Sequence, residues 1–444
     1  MSNTLIIVYN YSKLIFNLGY IKLFKIDIRN DISRLNKLKS NIDNCGFMMI
    51  KCIQWLLPSY NLIYPGTKLY DIFNTYYEEC NVHDIKYTEK LYYLEFNKYI
   101  YEDYDIIKIL GSGSIGQVYL LQNIHTNKKY AYKVIHPSVN NEYKVFNIFI
   151  NILSIFINYK KYIPINDFSN FIKSIKDQIN LNIESNNCKN IYDLYKDTDI
   201  SIPKVYYNCK QFIIMEYLEG DDFNTDILGK YDSYKYLMSL IIFTNNTCLH
   251  GICHGDLHNG NWKIDVINKK IIIYDFGYVF KMDNVEYDII NTLISQDDKR
   301  DINTKFFKYY LDKPYNSDLD KEIIMSKIHH VLDEYKNVEP PKLYCYIQIL
   351  MNFCLKNKVM ISTTCLNGML LFLQLVETFN RVKILETQAT YESYLTDILN
   401  NCKANNNMCP KLIEYCEMKL EENGNRGIMS EDFQRFNGLK KFML

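Results

Sequence analysis

Apolar residues recur at spacings of three and four through the first hundred positions, which predicts helices up to about Glu102, with breaks at Pro58 and at Pro65-Gly66. From Asp105 the rhythm changes. Ile106 to Leu110, Gln117 to Gln122 and Lys129 to Ile135 are short apolar or alternating runs parted by Gly-Ser and Asn-rich turns, the pattern of a small antiparallel sheet that Pro137 ends. Val145 to Tyr159 and Phe168 to Tyr195 return to helical spacing, and Val205 to Tyr207 and Phe212 to Met215 read as strands before a break at Glu219-Gly220. A helix from about Ser233 to Leu249 leads into a turn-rich stretch, and the rest is mainly helical. Sheet first and helices after is an α+β order. It divides the chain into a helical extension (1–104), a small sheet lobe with a helical insertion (105–220), a helical large lobe (221–390) and a helical tail (391–444).

Two apolar stretches raise the question of a membrane. Val359 to Val376 carries no charge, but its Ser, Thr, Asn and Gln and its length, short of the ~20 apolar residues of a span, predict a buried helix. The run Leu5 to Phe24 is interrupted by Lys13 and Lys22 and lacks a small-residue cleavage site. It reads either as an amphipathic helix resting on a membrane surface or as one packed on the core.

Composition narrows the field a little further. Of the 444 residues 48% are hydrophobic and 23% charged, a globular balance with enough apolar material for at least one sizeable core. The 51 basic and 51 acidic side chains cancel, so there is no electrostatic footprint of a nucleic-acid partner. Tyr is abundant at 40 copies while Gly (16) and Pro (9) are scarce, a bias toward A/T-rich codons that belongs to the genome and not to the fold. The 13 cysteines are scattered and odd in number, as expected of reduced thiols in an intracellular protein. Neither Cys248, Cys253 and His254 nor Cys402, Cys409 and Cys416 has the paired short spacing of a zinc module, so no zinc is expected.

Four pieces carry chemistry. The first is Leu110-Gly111-Ser112-Gly113-Ser114-Ile115-Gly116-Gln117-Val118, whose glycines let backbone approach phosphate oxygens because no Cβ intervenes. A Gly-x-Gly-x-x-Gly also serves dinucleotide folds, but a strand follows here instead of a helix, which favours a hairpin lid with Gly111, Ser112, Gly113, Ser114, Gly116 and Val118 around a nucleotide. The second is Ala131-Tyr132-Lys133-Val134. A lysine on a strand is ordinarily a solvated edge residue, but one placed after a glycine hairpin reaches the α and β phosphates of ATP and is held by a helix glutamate, for which Glu184 is the candidate. The third is His254-Gly255-Asp256-Leu257-His258-Asn259-Gly260-Asn261. Its Asp followed five residues later by Asn matches a phosphotransferase catalytic loop, Asp256 facing the acceptor hydroxyl and Asn261 offering an oxygen to a metal. The fourth is Ile271-Ile272-Ile273-Tyr274-Asp275-Phe276-Gly277, an apolar strand delivering an Asp that can bind Mg²⁺ bridging phosphates. Each piece is common singly; their joint order and spacing define an ATP site in a two-lobed protein-kinase-like fold. Ile213 to Gly220 adds a strand running into a hinge, where Glu216 and Leu218 would offer backbone groups to adenine, and His250 reads as a packed helix-end residue.

An ordinary protein kinase then needs an activation segment closing on Ala-Pro-Glu. None follows, for no proline lies between Gly277 and Pro314 and Glu286 to Ser295 already reads as a helix. The acceptor is therefore expected to be a small molecule or a lipid, or ATP is used without transfer.

These residues resemble the UbiB-like (AarF-type) atypical kinases. Ser114-Ile115-Gly116-Gln117-Val118 and Lys133 to Val139 are similar to that family's Ser-Ile-Gly-Gln-Val and Lys-Val-x-His/Arg-Pro-Gly-Val, and His254 to Asn261 to its His-Ala/Gly-Asp-x-His-Pro-Gly-Asn. Gln178 to Asn187 resembles its helix motif, Lys51 and Gln54 match its Lys-x-Gly-Gln signature, and Leu62 to Pro65 sits where it has Asp-Leu-Leu-Pro. The resemblance covers about Cys45 to Asp298 and implies Mg-ATP use, ATPase activity more evident than protein phosphorylation, and a role in isoprenoid-lipid metabolism at membranes. It also implies that a helix bearing Lys51 and Gln54 folds over the cleft as a regulatory lid beside the metal-binding residues. Three departures stand out: Gly111-Ser112-Gly113-Ser114 replaces the family's Ala-Ala-Ala-Ser, Ile53 replaces the signature glycine, and Asn259 replaces the catalytic-loop proline. The rival reading is a catalytically weak ATP-binding scaffold. The complete set Lys133, Asp256, Asn261 and Asp275 speaks against it.

Overall fold

The computed structural model describes residues 3–77, 82–137, 139–156, 159–196, 198–224, 228, 230–295, 300–336, 343–380, 396, 399–400, 413–414, 416–418 and 420–421. Most of the expected tail (391–444), with Cys402 and Cys409, lies outside the described residues. In chain order the elements are α1 (Asn3–Leu23), α2 (Ile32–Asp43), α3 (Phe47–Ile63), α4 (Lys68–Phe73), α5 (Ile85–Phe96), β1 (Tyr104–Ser112), β2 (Gly116–Asn123), β3 (Lys129–Ile135), α6 (Val139–Phe156), α7 (Ser169–Gln178) and α8 (Leu181–Tyr195). Then come β4 (Ile200–Ser201), β5 (Val205–Asn208), β6 (Phe212–Glu216), α9 (Lys230–Leu249), β7 (Cys253–His254), β8 (Trp262–Asp265), β9 (Lys270–Ile273), β10 (Val279–Phe280), α10 (Asn284–Ser295), α11 (Arg300–Leu311), α12 (Lys321–Lys336), α13 (Leu343–Lys356) and α14 (Thr363–Asn380). The chain divides into two compact units, one of residues 1–163, 168–185 and 205–217, the other of residues 164–167, 186–204 and 218–444.

The first unit is built on an antiparallel sheet in the order β1-β2-β3-β6-β5. Strand alternation sends Tyr119, Leu121, Tyr132, Val134, Phe212 and Ile214 to one face, where Leu91 and Tyr92 of α5 cover them. The opposite face offers Ile135 and Ile213, which join Ile115 in a second core with Tyr11 of α1, Leu35 of α2, Met48 of α3 and Phe146 of α6. Helices thus bury both faces of the sheet, and each fully buried Leu, Ile or Phe contributes ~1.5–3 kcal/mol.

Pro58 does not break its helix: α3 runs through it to Ile63. An interior proline forfeits one backbone hydrogen bond and costs ~3 kcal/mol. Burial of Leu57, Ser59, Leu62 and Ile63 around it offsets that loss. The stretch Phe168 to Tyr195 is likewise two helices. Asn180 parts α7 from α8 by accepting the N–H of Asn182 at its side chain, while Leu181 N–H donates to Lys210 O at 3.2 Å.

Helix α1 packs on the core through Ile7, Tyr11 and Leu14, but its outward side is also apolar: Leu5, Tyr9, Phe16, Tyr20 and Leu23 are all exposed, Phe16 at 74% and Leu23 at 75%. No acidic residue lies in the helix. No described helix is long and apolar enough to cross a membrane.

In the second unit β8 pairs antiparallel with β9, β9 parallel with β4, and β7 with β10. Helix α9 lies under β9 and β7, with Leu237, Leu240, Ile242, Phe243 and Cys248 buried. The uncharged stretch from Val359 becomes helical only at Thr363; Ile361 before it forms a parallel bridge to Ile165. Six helices, α9 to α14, make this unit predominantly helical among the described residues.

Candidate functional site

The predicted site residues fall into two sets, one in each unit. In the first unit, β1 and β2 meet in the glycine hairpin, closed by Gly113 N–H to Gly116 O at 2.9 Å. A Cβ on Gly111 would meet nothing and one on Gly113 only the Gly116 carbonyl at 3.8 Å, so the outer side of the hairpin is open. Gly116 is different, since a Cβ there would lie 2.6 Å from Val134 O: it permits β2 and β3 to approach. Opposite Gly111 across β1 and β2 stands Val118, and opposite Val118 across β2 and β3 stands Lys133. Directly paired residues share a face, so the hairpin valine and the lysine lie on the same side of the sheet.

Lys133 Nζ donates to Glu184 Oε1 at 2.7 Å, and the two side chains are only 10% and 5% exposed. Glu184 lies in the first turn of α8, whose start is fixed by Leu181 N–H on Lys210 O and by Asn208 Nδ2 on Asn182 Oδ1 at 2.8 Å. Glu216 ends β6 opposite Tyr130, half-buried.

Lys51 and Gln54 sit on α3, both half-buried. Gln54 Oε1 accepts from Ser114 Oγ in the glycine hairpin at 3.1 Å, and Gln54 Nε2 donates to Tyr76 O at 2.7 Å. The glutamine of the N-terminal extension therefore touches the hairpin itself. Beneath the hairpin lie two histidines that hydropathy did not single out. His136 Nε2 is 2.9 Å from Gly113 O, and His136 Nδ1 is 2.9 Å from Nδ1 of His83. His136 lies within the Lys133 to Val139 match, which gave it no role; nothing local marks His83.

In the second unit, Asp256, Asn261 and Asp275 are tied together through backbone. Asn261 Nδ2 donates to Asp256 O at 2.8 Å, and Tyr274 N–H, beside Asp275, donates to Asn261 O at 3.1 Å. His254 links the same two segments. Its Nδ1 accepts Asp256 N–H at 3.2 Å and its Nε2 donates to Tyr274 O at 3.3 Å, while its ring packs edge-on against Phe276. Burial pushes the His254 pKa down, which keeps the ring in the neutral form this double contact needs. His258 Nε2 approaches Asp256 Oδ1 at 3.8 Å. Asp275 is exposed and adopts φ +63°, a left-handed conformation unusual for a non-glycine residue. Its Oδ1 accepts Gly277 N–H at 3.3 Å. Leu218 is the first residue of the 218–444 segment of this unit and is half-buried.

These donors suit a hard cation. Asn261 commits its nitrogen to Asp256 O, which leaves Oδ1 as the atom to offer a metal, and Asp275 presents a carboxylate. Among the described residues no group of three or more His, Cys, Asp or Glu forms a metal cage. A Mg²⁺ held by one or two protein oxygens together with phosphates needs none. The described cysteines carry free thiols, Cys248 and Cys253 buried among them.

After Gly277 only residues 278–283 precede α10, so helix begins where a protein kinase carries its activation segment. Glu286 in the first turn of α10 is buried and accepts from Thr364 Oγ1 at 2.6 Å and Tyr310 OH at 3.0 Å, fastening the start of α10 to α14 and α11.

A sheet-based unit carrying a glycine hairpin and a buried Lys–Glu pair, and a helical unit carrying the Asp256–Asn261 loop and Asp275, define a kinase-like protein. The model of the ABC1 atypical kinase-like domain matches residues 78–305, and the chain belongs to that family, in line with the UbiB-like resemblance. Two solved structures are similar over less than half of this chain. The Rv3197–erythromycin complex from Mycobacterium tuberculosis is 18% identical, with 47% of this chain and 54% of that one covered and a TM-score of 0.36. The kinase PK-1 of the Cydia pomonella granulovirus is 16% identical, with 44% and 57% covered and a TM-score of 0.26. The chain thus spans little more than half the length of either.

Proposed function

We propose that the protein is a UbiB-like atypical kinase that uses Mg-ATP as a phosphotransferase or ATPase on a small-molecule or lipid-linked acceptor. The observation that carries this reading is the buried Lys133–Glu184 pair at 2.7 Å under an open glycine hairpin. A lysine held by a helix glutamate beside a glycine hairpin is the arrangement that places a cation against the α and β phosphates of ATP. Lys133 would clamp the α and β phosphates, and Gly111 to Gly116 would cover them with backbone N–H groups. The backbone at Glu216 and Leu218 would face adenine, and Asp256 would orient the acceptor hydroxyl or a water. Asn261 and Asp275 would hold Mg²⁺, which when bound neutralises charge on the phosphates. Lys51 and Gln54 would regulate access to the hairpin, a role supported by the Gln54–Ser114 contact.

The exposed face of α1 supports a membrane surface as partner. Leu5, Tyr9, Phe16, Tyr20 and Leu23 make an apolar side with Lys13 and Lys22 and no acid, the composition of an interfacial helix attracted to anionic lipid. In this reading the protein works peripherally on a membrane, in a reducing compartment, with an isoprenoid lipid or the membrane surface itself as partner. A slow-turnover ATPase assay with and without detergent-solubilised lipid tests the proposal. Turnover that lipid stimulates and Asp256→Asn abolishes is expected. Nucleotide binding with no hydrolysis under any condition would favour the scaffold.

A further inference from the structure

With both rings neutral, the Gly113 carbonyl fixes the tautomers of the two histidines beneath the glycine hairpin. Gly113 O can only accept, so His136 Nε2, 2.9 Å away, carries a hydrogen. The neutral ring then has a bare Nδ1, and His83 Nδ1, 2.9 Å from it, must donate. His83 Nε2 is bare in turn and accepts one hydroxyl hydrogen, from Thr88 Oγ1 at 2.9 Å or from Tyr119 OH at 3.3 Å, the two hydroxyls lying 3.1 Å apart. Packing seats both rings: Phe47 at the start of α3 stacks on His136 with centroids 4.2 Å apart, and Gln117 Oε1 accepts His83 N–H at 2.8 Å. A trans peptide carries its C=O and N–H in opposite directions. Holding the Gly113 carbonyl down on His136 therefore turns the Ser114 N–H away from it, toward the outer side of the hairpin.

We infer that His136, seated by His83, is a positioning residue that presets the Gly113–Ser114 peptide for an anionic phosphate, and that charging both rings releases it. One added proton is accommodated on His83 Nε2, with Thr88 Oγ1 turned to accept it, but with both rings charged two N–H groups face each other across the 2.9 Å gap between the rings. The inference rests on the nucleotide reading of the hairpin for its purpose, though not for its geometry.

Burial and the neighbouring His136 lower the pKa of His83 to about 4, and burial lowers that of His136 against the pull of Gly113 O. Among the described groups facing the pair, Asp84 at the start of α5 opposes the depression of His83. The phenols of Tyr87 and Tyr119 are themselves raised by burial and stay neutral. Glu142 of α6 faces the Phe47 N–H, accepting it at 2.8 Å. For the sign, both folded values lie below the ordinary 6.5, so the unfolded chain binds more protons in the window between. The contribution is complete above about 6.5 and is lost as pH falls toward about 4.

The test is hydrogen exchange of residues 111–116 in the nucleotide-free full chain, corrected for intrinsic chemistry, with β5 and β6 as internal reference. Mg-ATP affinity is measured in parallel. In the wild type, exchange of the hairpin should rise about tenfold between about pH 7.5 and about pH 4 while the reference strands stay constant. His136→Leu should show the raised exchange at both values. His83→Gln should keep hairpin protection at the higher value and lose the acid response, because its amide can flip to accept from a protonated His136. If His136→Leu also loosens β5 and β6, the His83→Gln comparison decides. Hairpin exchange indifferent to pH in the wild type, or an acid response surviving in His83→Gln, overturns the inference. A hairpin that responds as stated in a protein that binds no Mg-ATP would overturn the nucleotide reading and leave the positioning pair standing.

Discussion

Lys133 and Glu184 show how much of the site's behaviour is set by two side chains. Their 2.7 Å contact lies where they are 10% and 5% exposed, so removing one partner takes a close counter-charge from a buried ion. Lys133→Met should lower stability by about 3 kcal/mol and Mg-ATP affinity by at least about tenfold. Adding Glu184→Leu should restore much of the stability and none of the affinity. Denaturant melts and nucleotide titration of the two variants check this, and a double variant no more stable than Lys133→Met alone would contradict the buried-pair account. Asp275 is a second residue whose backbone matters. At φ +63° it sits where Asn is tolerated nearly as well as Asp, so Asp275→Asn changes charge with little change in backbone strain.

Among the elements, α3 is held at its first residue. Gly46 before it has φ +93°, and a Cβ there would stand 2.6 Å from Glu142 Oε2, the atom that accepts Phe47 N–H. Gly46→Ala should therefore destabilise the protein by about 2 kcal/mol, read as a lower melting temperature. It should also loosen Gln54 from Ser114, since both depend on the seating of α3. For α1 the expected outcome concerns membranes. The paired change Phe16→Glu and Leu23→Glu should abolish flotation with anionic vesicles while leaving the melting temperature unchanged, because both residues are exposed. Flotation unaffected by the pair would turn attention away from this face.

The elements also show what a linear reading captures. The alternation around Lys133 and the turn at Gly111 to Gly116 marked β1, β2 and β3 because strand period and turn chemistry are local properties. Pro58 misled for the same reason: the local cost was visible, but the buried residues on either side of it were not. The Gln54–Ser114 contact joins positions 60 apart in sequence, and the His83–His136 contact positions 53 apart. Such pairs depend on how α3 and α5 pack against the sheet, which no local pattern encodes.

At the scale of the whole molecule, the chain places a sheet unit with a buried Lys133–Glu184 pair and a helical unit with the Asp256–Asn261 loop in one polypeptide of the ABC1 atypical kinase-like family. Residues 278–283 leave no room for a peptide-docking activation segment before α10. Generic peptide and protein acceptors should accordingly gain little phosphate from radiolabelled ATP, and stoichiometric labelling would show that the glycine hairpin outweighs the missing platform. The central claim is that Asp275 and Asn261 hold Mg²⁺ for ATP. Calorimetric titration of the full chain with Mg-ATP, set beside the same titration of Asp275→Asn and the melting curves of both apo-proteins, tests it most directly. Saturable, metal-dependent binding in the wild type, lost in the variant with an unchanged melting temperature, is the predicted result; undiminished Mg-ATP affinity in Asp275→Asn would contradict it.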